Sequence, residues 1–363
     1  MDSALRSITV SLGPRTYDVV VGKGLLRQAG TAIRNLGFAG HVVILTDANV
    51  SRLYSEPLRS SLLQAGLSCS EEIIPSGETS KSFSVAEKLC EALARERVDR
   101  SGIIIALGGG VVGDLAGFVA SIYARGIPYV QVPTTVMAQV DSAVGGKTAI
   151  NLEAGKNLVG SFYQPVLVLA DIGMLETLPA QVKNEGFAEV IKYGVIAQPD
   201  LLDILSQPSL SDLGSLVADC VSIKARIVAK DEREESGDRA LLNLGHTIGH
   251  GIEAVAGYGT MLHGEAISLG MRAALWLSTE KAGFPKNDYT RVVSLLTKFG
   301  LPTVLPDHFP TETIIQKVLA DKKFVRGEIR FVLASSLGAA FVSDEITRSD
   351  LATAVGVLRE SRV

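Results

Sequence analysis

The chain has 363 residues, enough for about two domains at roughly 150 residues each. It is 47% hydrophobic and 20% charged, which excludes a disordered or collagen-like polymer and leaves room for sizeable cores. With 35 basic against 39 acidic side chains the net charge is −4, so no general basic field invites nucleic acid, and any bound anion must be held by a local cluster.

In chain order, residues 1–6 carry an early acid, Asp2, and no apolar run, which argues against a signal peptide. No uncharged apolar stretch reaches the roughly 20 residues that span a bilayer. A soluble, cytoplasmic protein is expected, with the scattered cysteines Cys69, Cys90 and Cys220 as reduced thiols. Residues 8–12 and 17–21 read as an opening hairpin turned by Gly13-Pro14. Residues 42–45 form a continuous apolar run of the kind buried in a parallel sheet, with Asp47 just past its end. An amphipathic helix at 84–97 follows, then strands at 103–107, 129–132 and 166–169. This alternation predicts an α/β fold in which residues 1–175 are a Rossmann-like, doubly wound parallel-sheet domain. Beyond it the periodicity is helical, at 184–196, 213–229, 241–256, 264–277 and 289–299, with one hairpin from 328–332 and 339–342. Residues 176–363 are thus expected as a mostly α-helical second domain. The acidic run 231–235 reads as a solvated loop.

Ten of the 36 glycines lie between Gly108 and Gly160. The strand at 103–107 runs into Gly108-x-Gly110-x-x-Gly113 and then a helix, the context in which missing Cβ atoms and a helix N-terminus admit a pyrophosphate. A ligand-free tight turn gives the same spacing, and no acid ends a strand about 20 residues on, although Asp47 could hold a ribose. Thr134 and Thr135, at the end of the next strand, suit either a ligand crevice or a helix cap. Lys147 and Lys156 are expected on glycine-rich loops where ammonium and backbone can reach a phosphate together.

Histidine is scarce, yet three of the five fall between 246 and 263. His246 and His250, at i and i+4, share one helix face. His263 follows a turn marked by Gly257-Tyr258-Gly259, and Glu189 is a carboxylate in an otherwise apolar helix. Three His or carboxylate ligands with a position left open describe a catalytic divalent site that suits zinc. Spacing alone leaves open whether both His246 and His250 ligate, or one ligates and the other handles protons; packed, capping histidines are the plainer alternative. Asn243 at −3 from His246 is expected on its helix face, and Lys192 beside Glu189. Together with Lys224, Arg239 and the glycine-segment lysines these make a positive pocket for a small, multiply anionic substrate.

Residues 108–118, 133–147, 155–165, 188–194, 241–254 and 263–271 and Asp321-Lys322-Lys323 resemble, in order and over nearly the whole chain, the 3-dehydroquinate synthase family among the sugar phosphate cyclases. The resemblance implies a homodimeric lyase of the shikimate pathway, with NAD and a divalent metal (zinc or cobalt), turning 3-deoxy-D-arabino-heptulosonate 7-phosphate into 3-dehydroquinate and phosphate. It implies Glu189, His246 and His263 as metal ligands, and His250 for phosphate binding and proton transfer. NAD would be held by Asp47, Ser76, Gly77, Glu78, Thr79, Ser80, Lys81, Gly110, Val111, Val112, Gly113, Asp114, Thr134, Thr135, Lys147, Lys156, Met174, Leu175, Glu176 and Thr177. Substrate would meet Asp141, Lys147, Asn157, Lys192, Lys224, Arg239, Asn243 and His250, with Lys322 or Lys323 on its carboxylate and Arg125 reaching into the partner subunit's site. Lys147, Lys192, Arg239, Asn243 and His250 are the catalytic candidates.

Departures from the family are few. Ala143 stands where serine is usual, and residues 235–238 are one longer, so either Glu234 or Glu235 matches the family's acid. A related cyclase using sedoheptulose 7-phosphate or glucose 6-phosphate would differ at Asn157, Lys224, Asn243 or His250, which all keep the pattern here. A metal-dependent NAD polyol dehydrogenase of similar architecture would accumulate NADH, and a non-catalytic binding protein would lack metal or phosphate residues.

Overall fold

The computed structural model describes residues 5–257, 259–320, 324–325 and 328–360. The chain forms two compact units: one runs to Leu178 and takes in Asp212–Ala229, and the other comprises Pro179–Ser211 and the chain from Lys230 onward. The helix Leu213–Lys230, expected with the second domain, instead clusters with the first unit up to Ala229.

The first unit is built on β1 (Arg6–Val10), β2 (Tyr17–Gly22), β3 (Val42–Asp47), β4 (Cys69–Ile74), β5 (Ile103–Gly108), β6 (Tyr129–Pro133), the hairpin β7 (Lys147–Leu152) and β8 (Gly155–Phe162), and β9 (Leu167–Asp171). Seven strands share one sheet in the order β1-β2-β9-β6-β5-β3-β4, with β7 and β8 apart as a pair. Within the seven-stranded sheet only β1 runs antiparallel to its neighbour, and the other pairings are parallel. Side-chain alternation explains the layering. Val43, Leu45, Ile104 and Ala106 pack on one face with Leu89 and Leu93 of the helix Phe83–Arg95 and Leu115 and Val119 of the helix Gly110–Ile122. Val42, Ile44, Ile103 and Ile105 pack on the other with Ile33, Leu58 and Leu62. Both faces are covered, so the strands read as continuous apolar runs. The edge strands are exceptions: β1 is largely exposed, and Ser70-Glu71-Glu72 of β4 hides that strand from a hydrophobic search.

From β3 the chain moves outward to β4 and returns to place β5 on β3's other side. The strand order therefore reverses between β3 and β5, the point where ligands meet the carboxyl ends of open α/β sheets. Asp47 ends one of these strands and Gly108 the other.

The second unit is mostly helical, as expected, with corrections that have local causes. The helix expected at 184–196 is two, Ala180–Glu185 and Phe187–Ile196. The helix expected at 241–256 begins only at His246, because Gly245 before it has φ +79°; residues Asp238–Asn243 form a separate 3-10 segment. The small hairpin pairs Phe331–Ser336 with Ala339–Ser343, while Glu328–Ile329 pairs instead with Phe324–Val325. No helix among the described residues is long and apolar enough to cross a membrane.

Two helices, His246–Ala256 and His263–Lys281, approach backbone to backbone. A Cβ on Gly270 would lie 2.0 Å from the carbonyl oxygen of Gly245 and 2.6 Å from the amide nitrogen of Gly249. Gly270→Ala is therefore expected to destabilise the protein by about 1–3 kcal/mol. Gly356→Ala, where a Cβ meets open space, should be neutral or slightly stabilising. Denaturant unfolding of both variants checks the pair, and equal stability would contradict the close crossing.

Candidate active site

In the first unit the glycine segment follows directly from β5. A Cβ on Gly108 would stand 2.6 Å from the Val112 side chain, and one on Gly113 would stand 2.7 Å from Gln131 Oε1. These two glycines let the helix Gly110–Ile122 close on the sheet. A Cβ on Gly110 would press on Ser142 Oγ at 3.0 Å. The two threonines divide the roles that their sequence left open. Thr135 Oγ1 accepts the N–H of Ala138 and is a cap. Thr134 Oγ1 is buried and has no hydrogen-bond partner among the described residues, a cost that a polar ligand at the strand end would relieve. Asp47 caps the helix Ala48–Gln64 through the N–H groups of Asn49 and Val50 and accepts from Ser76 Oγ at 2.9 Å, joining the ends of β3 and β4. These features fit a dinucleotide at the switch point. Of the remaining candidates there, Met174 and Leu175 are buried, Thr177 meets Tyr54, and Glu176 pairs with Lys23 at 2.7 Å.

Gly77, at φ +106°, leads into the 3-10 turn of Glu78, Thr79 and Ser80. Lys81 after it is buried, with Nζ 2.7 Å from Asp114 Oδ2, 2.6 Å from Asn157 Oδ1 and 3.7 Å from Glu78 Oε1. Burial works to lower its pKa, but the charges of Asp114 and Glu78 hold it above the ordinary value. Burial in turn pushes the Asp114 carboxyl up against the pull of Lys81. Lys156 lies 3.5 Å from Glu78 Oε1. Lys147 and Lys156, expected on loops, lie on β7 and β8. Lys224, on the helix that joined this unit, places Nζ 2.9 Å from Asp141 Oδ1 and 2.7 Å from the Asp141 carbonyl. Arg125 is exposed at φ +67°.

In the second unit every residue of the helix Phe187–Ile196 is buried, Glu189 and Lys192 included. Glu189 is in ion-pair contact with Lys192 through Oε2, while Oε1 lies 3.3 Å from His246 Nε2 and 3.9 Å from His263 Nε2. Each of these histidines is the first residue of its helix. Their other ring nitrogens are occupied: His246 Nδ1 by the Leu244 carbonyl at 3.1 Å, His263 Nδ1 by Glu253 Oε2 at 3.3 Å. Such partners fix ring orientation and turn Nε2 toward a metal. The nearest ligand atoms of His246, His250 and His263 all lie within 4.8 Å of one another. Burial drives the His246 pKa down to about 3, which keeps the imidazole neutral as ligation requires. His263 is also desolvated, but Glu253 and the neighbouring carboxylates hold its pKa above the ordinary value. The donor set fits a divalent metal with an open position.

Asn243 is not on the His246 helix but in the preceding 3-10 segment, so the expected shared face does not exist. Arg239, in the same segment, is buried, with Nη1 2.5 Å from the Glu232 carbonyl and Nε 3.8 Å from Glu234 Oε1. The acidic run is not simply a solvated loop. Its first residue, Asp231, is buried and accepts the N–H groups of Glu235, Ser236, Gly237 and Arg239. Tyr258, Lys322 and Lys323 lie outside the described residues. Neither Glu253 nor Asp231 is marked by the motifs of the sequence. Glu253 was within reach, since 246, 250 and 253 follow i, i+4, i+7 on one face; nothing in the charge run marks Asp231.

A parallel-sheet unit followed by a mostly helical unit is a fold found among sugar phosphate cyclases and dehydrogenases of known structure. The cyclase example is 2-deoxy-scyllo-inosose synthase, solved with carbaglucose-6-phosphate, NAD+ and Co2+ (25% identity, TM-score 0.87, covering 98% of this chain and 99% of that one). Glycerol dehydrogenase from Schizosaccharomyces pombe shares the fold alone (19% identity, TM-score 0.63, 93% and 87% covered). Residues 71–185 match the N-terminal and 186–324 the C-terminal domain of 3-dehydroquinate synthase. The 3-dehydroquinate synthase of Methylacidiphilum infernorum is 44% identical over 351 residues, 97% of this chain and 98% of that protein. The chain belongs to the 3-dehydroquinate synthase family.

The Asp231 geometry has a consequence for pH. Burial alone would raise this carboxyl, yet the backbone donors around it hold it down at about 2, below its ordinary 3.8. A depressed carboxylate contributes stability that is complete above its unfolded value and lost as pH falls toward the folded one. Asp231→Asn should cost about 2 kcal/mol at neutral pH, with the gap to wild type closing between 3.8 and about 2. Unfolding titrations across that range check it; a gap independent of pH would contradict the assignment.

Proposed function

We propose that the protein catalyses the family's reaction, converting 3-deoxy-D-arabino-heptulosonate 7-phosphate into 3-dehydroquinate and phosphate. The observation that carries this reading is the buried Glu189 carboxylate faced by Nε2 of both His246 and His263, in a chain that belongs to the family over nearly its whole length. Glu189, His246 and His263 are assigned to a divalent metal. The segment from Ser76 to Lys81, Asp47, Gly110 to Asp114, Thr134, Thr135, Lys147, Lys156 and Met174 to Thr177 are assigned to NAD.

When bound, the dinucleotide supplies a reversible hydride acceptor and the metal a Lewis acid for substrate oxygen. The chain's own groups do the rest. Arg239, Lys192, Lys147, Lys224 and Asn157, with Lys322 or Lys323, hold the phosphate and carboxylate by charge-assisted hydrogen bonds, which converts positioning into rate. His250, beside both ligating histidines, is assigned to phosphate and to the proton lost next to the phosphate-bearing carbon. Asp141, held by Lys224, and Asn243 orient substrate hydroxyls. We further assign a homodimer in the cytoplasm, with the exposed Arg125 serving the partner's site.

Incubation with the heptulosonate phosphate, NAD and zinc should release phosphate with no net NADH. Absence of phosphate defeats this reading, and accumulation of NADH favours a dehydrogenase. His263→Ala should lose the metal together with turnover, whereas His250→Ala should keep metal and lose turnover. Metal analysis of the two purified variants reads this directly; equal loss would overturn the division between ligand and proton-handling group.

A further inference from the structure

β7 and β8 pair antiparallel, with Leu152 opposite Gly155 at the tip, but the register shifts between Ile150 and Leu152. Asn151 is left out of the ladder by this irregularity, the kind of place where a bulge re-aims a residue. Its polar groups are used elsewhere. The backbone N–H donates to the Lys81 carbonyl at 2.8 Å. Side-chain Nδ2 donates to Glu78 Oε1 at 2.8 Å, and Oδ1 accepts the N–H of Asn157 at 3.0 Å. The polarity of the partners fixes the amide, since only its nitrogen end can face a carboxylate and only its oxygen can accept an N–H. Asn157 is itself in the left-handed region at φ +53°, a conformation that persists where surroundings over-determine it. Here they do: Asn151 holds its N–H, and Lys81 Nζ donates to its Oδ1 at 2.6 Å.

We infer that Asn151 is a positioning residue that ties the segment from Ser76 to Lys81 to Asn157, so that the groups assigned to the dinucleotide and to the substrate phosphate are set in one fixed geometry. The inference rests on the function proposed above for its consequences in binding, but not for the ties themselves. Neither the motif spacing nor the roles assigned so far involve Asn151.

Two variants of the full chain, loaded with zinc and NAD, test it. Asn151→Ala removes both side-chain bonds. Asn151→Asp keeps an acceptor for the Asn157 N–H but sets a second carboxylate against Glu78. In Asn151→Ala, amide hydrogen exchange read by mass spectrometry should quicken about tenfold in peptides covering both 76–82 and 150–158. In Asn151→Asp it should quicken over 76–82 only. The alanine variant should also raise the Kd for NAD and the KM for the sugar phosphate about fivefold each, with kcat within about twofold. Unchanged exchange in both segments overturns the inference. So does faster exchange with both constants unchanged, because the ties then serve the hairpin alone, and so does faster exchange throughout the protein, which marks general destabilisation. If wild-type protein releases no phosphate, the proposed reaction fails, while exchange and NAD affinity still judge Asn151.

Discussion

A carboxylate buried among apolar side chains is the constraint on which the second unit depends. Taking a charged group out of water costs several kcal/mol after relaxation, and the cost is recovered only if partners are placed with good geometry. Glu189 has no exposed surface and lies on a helix whose every residue is buried. Lys192 answers it from one turn away on the same helix, and His246 and His263 come from two others. Those histidines can reach it because each opens its helix, and because Gly270 lets the two helices meet without intervening side chains. Glu253 then fixes His263 from behind, and the Leu244 carbonyl fixes His246.

The first unit meets a related demand differently. Its buried ammonium, Lys81, lies among Asp114, Glu78 and the Asn157 amide, so charge is balanced within a polar network rather than by one ion pair. The network lies beside the glycine segment, where close helix-to-sheet packing at Gly108 and Gly113 leaves backbone rather than side chain near the strand ends. Placement of polar groups thus follows from the packing of apolar ones.

Much of this was legible in the chain. The buried strands announced themselves because parallel strands covered on both faces are apolar throughout, and His246, His250, His263 and Glu189 stood out by scarcity or by an apolar setting. The edge strand β4 did not, since its Ser-Glu-Glu core obeys no burial pattern. Asp231 looked like one acid in a solvated run, yet its contribution comes from four backbone N–H groups that no side-chain pattern encodes. The start of the helix at His246 is hidden in the sequence because apolar periodicity continues through Leu241 to Leu244, whereas a left-handed glycine sets the true start.

By itself the sequence determined the α/β layout, the helical character of the second half, and the side chains available for metal, dinucleotide and anion. Those depend on local periodicity and residue chemistry, which a linear chain displays. Only the tertiary structure decided that the helix carrying Lys224 joins the first unit beside Asp141, that Thr135 caps a turn while Thr134 is left without a partner among the described residues, and that Asn243 leaves the face of His246. Each of these turns on long-range packing or on one backbone dihedral, and neither is visible as periodicity.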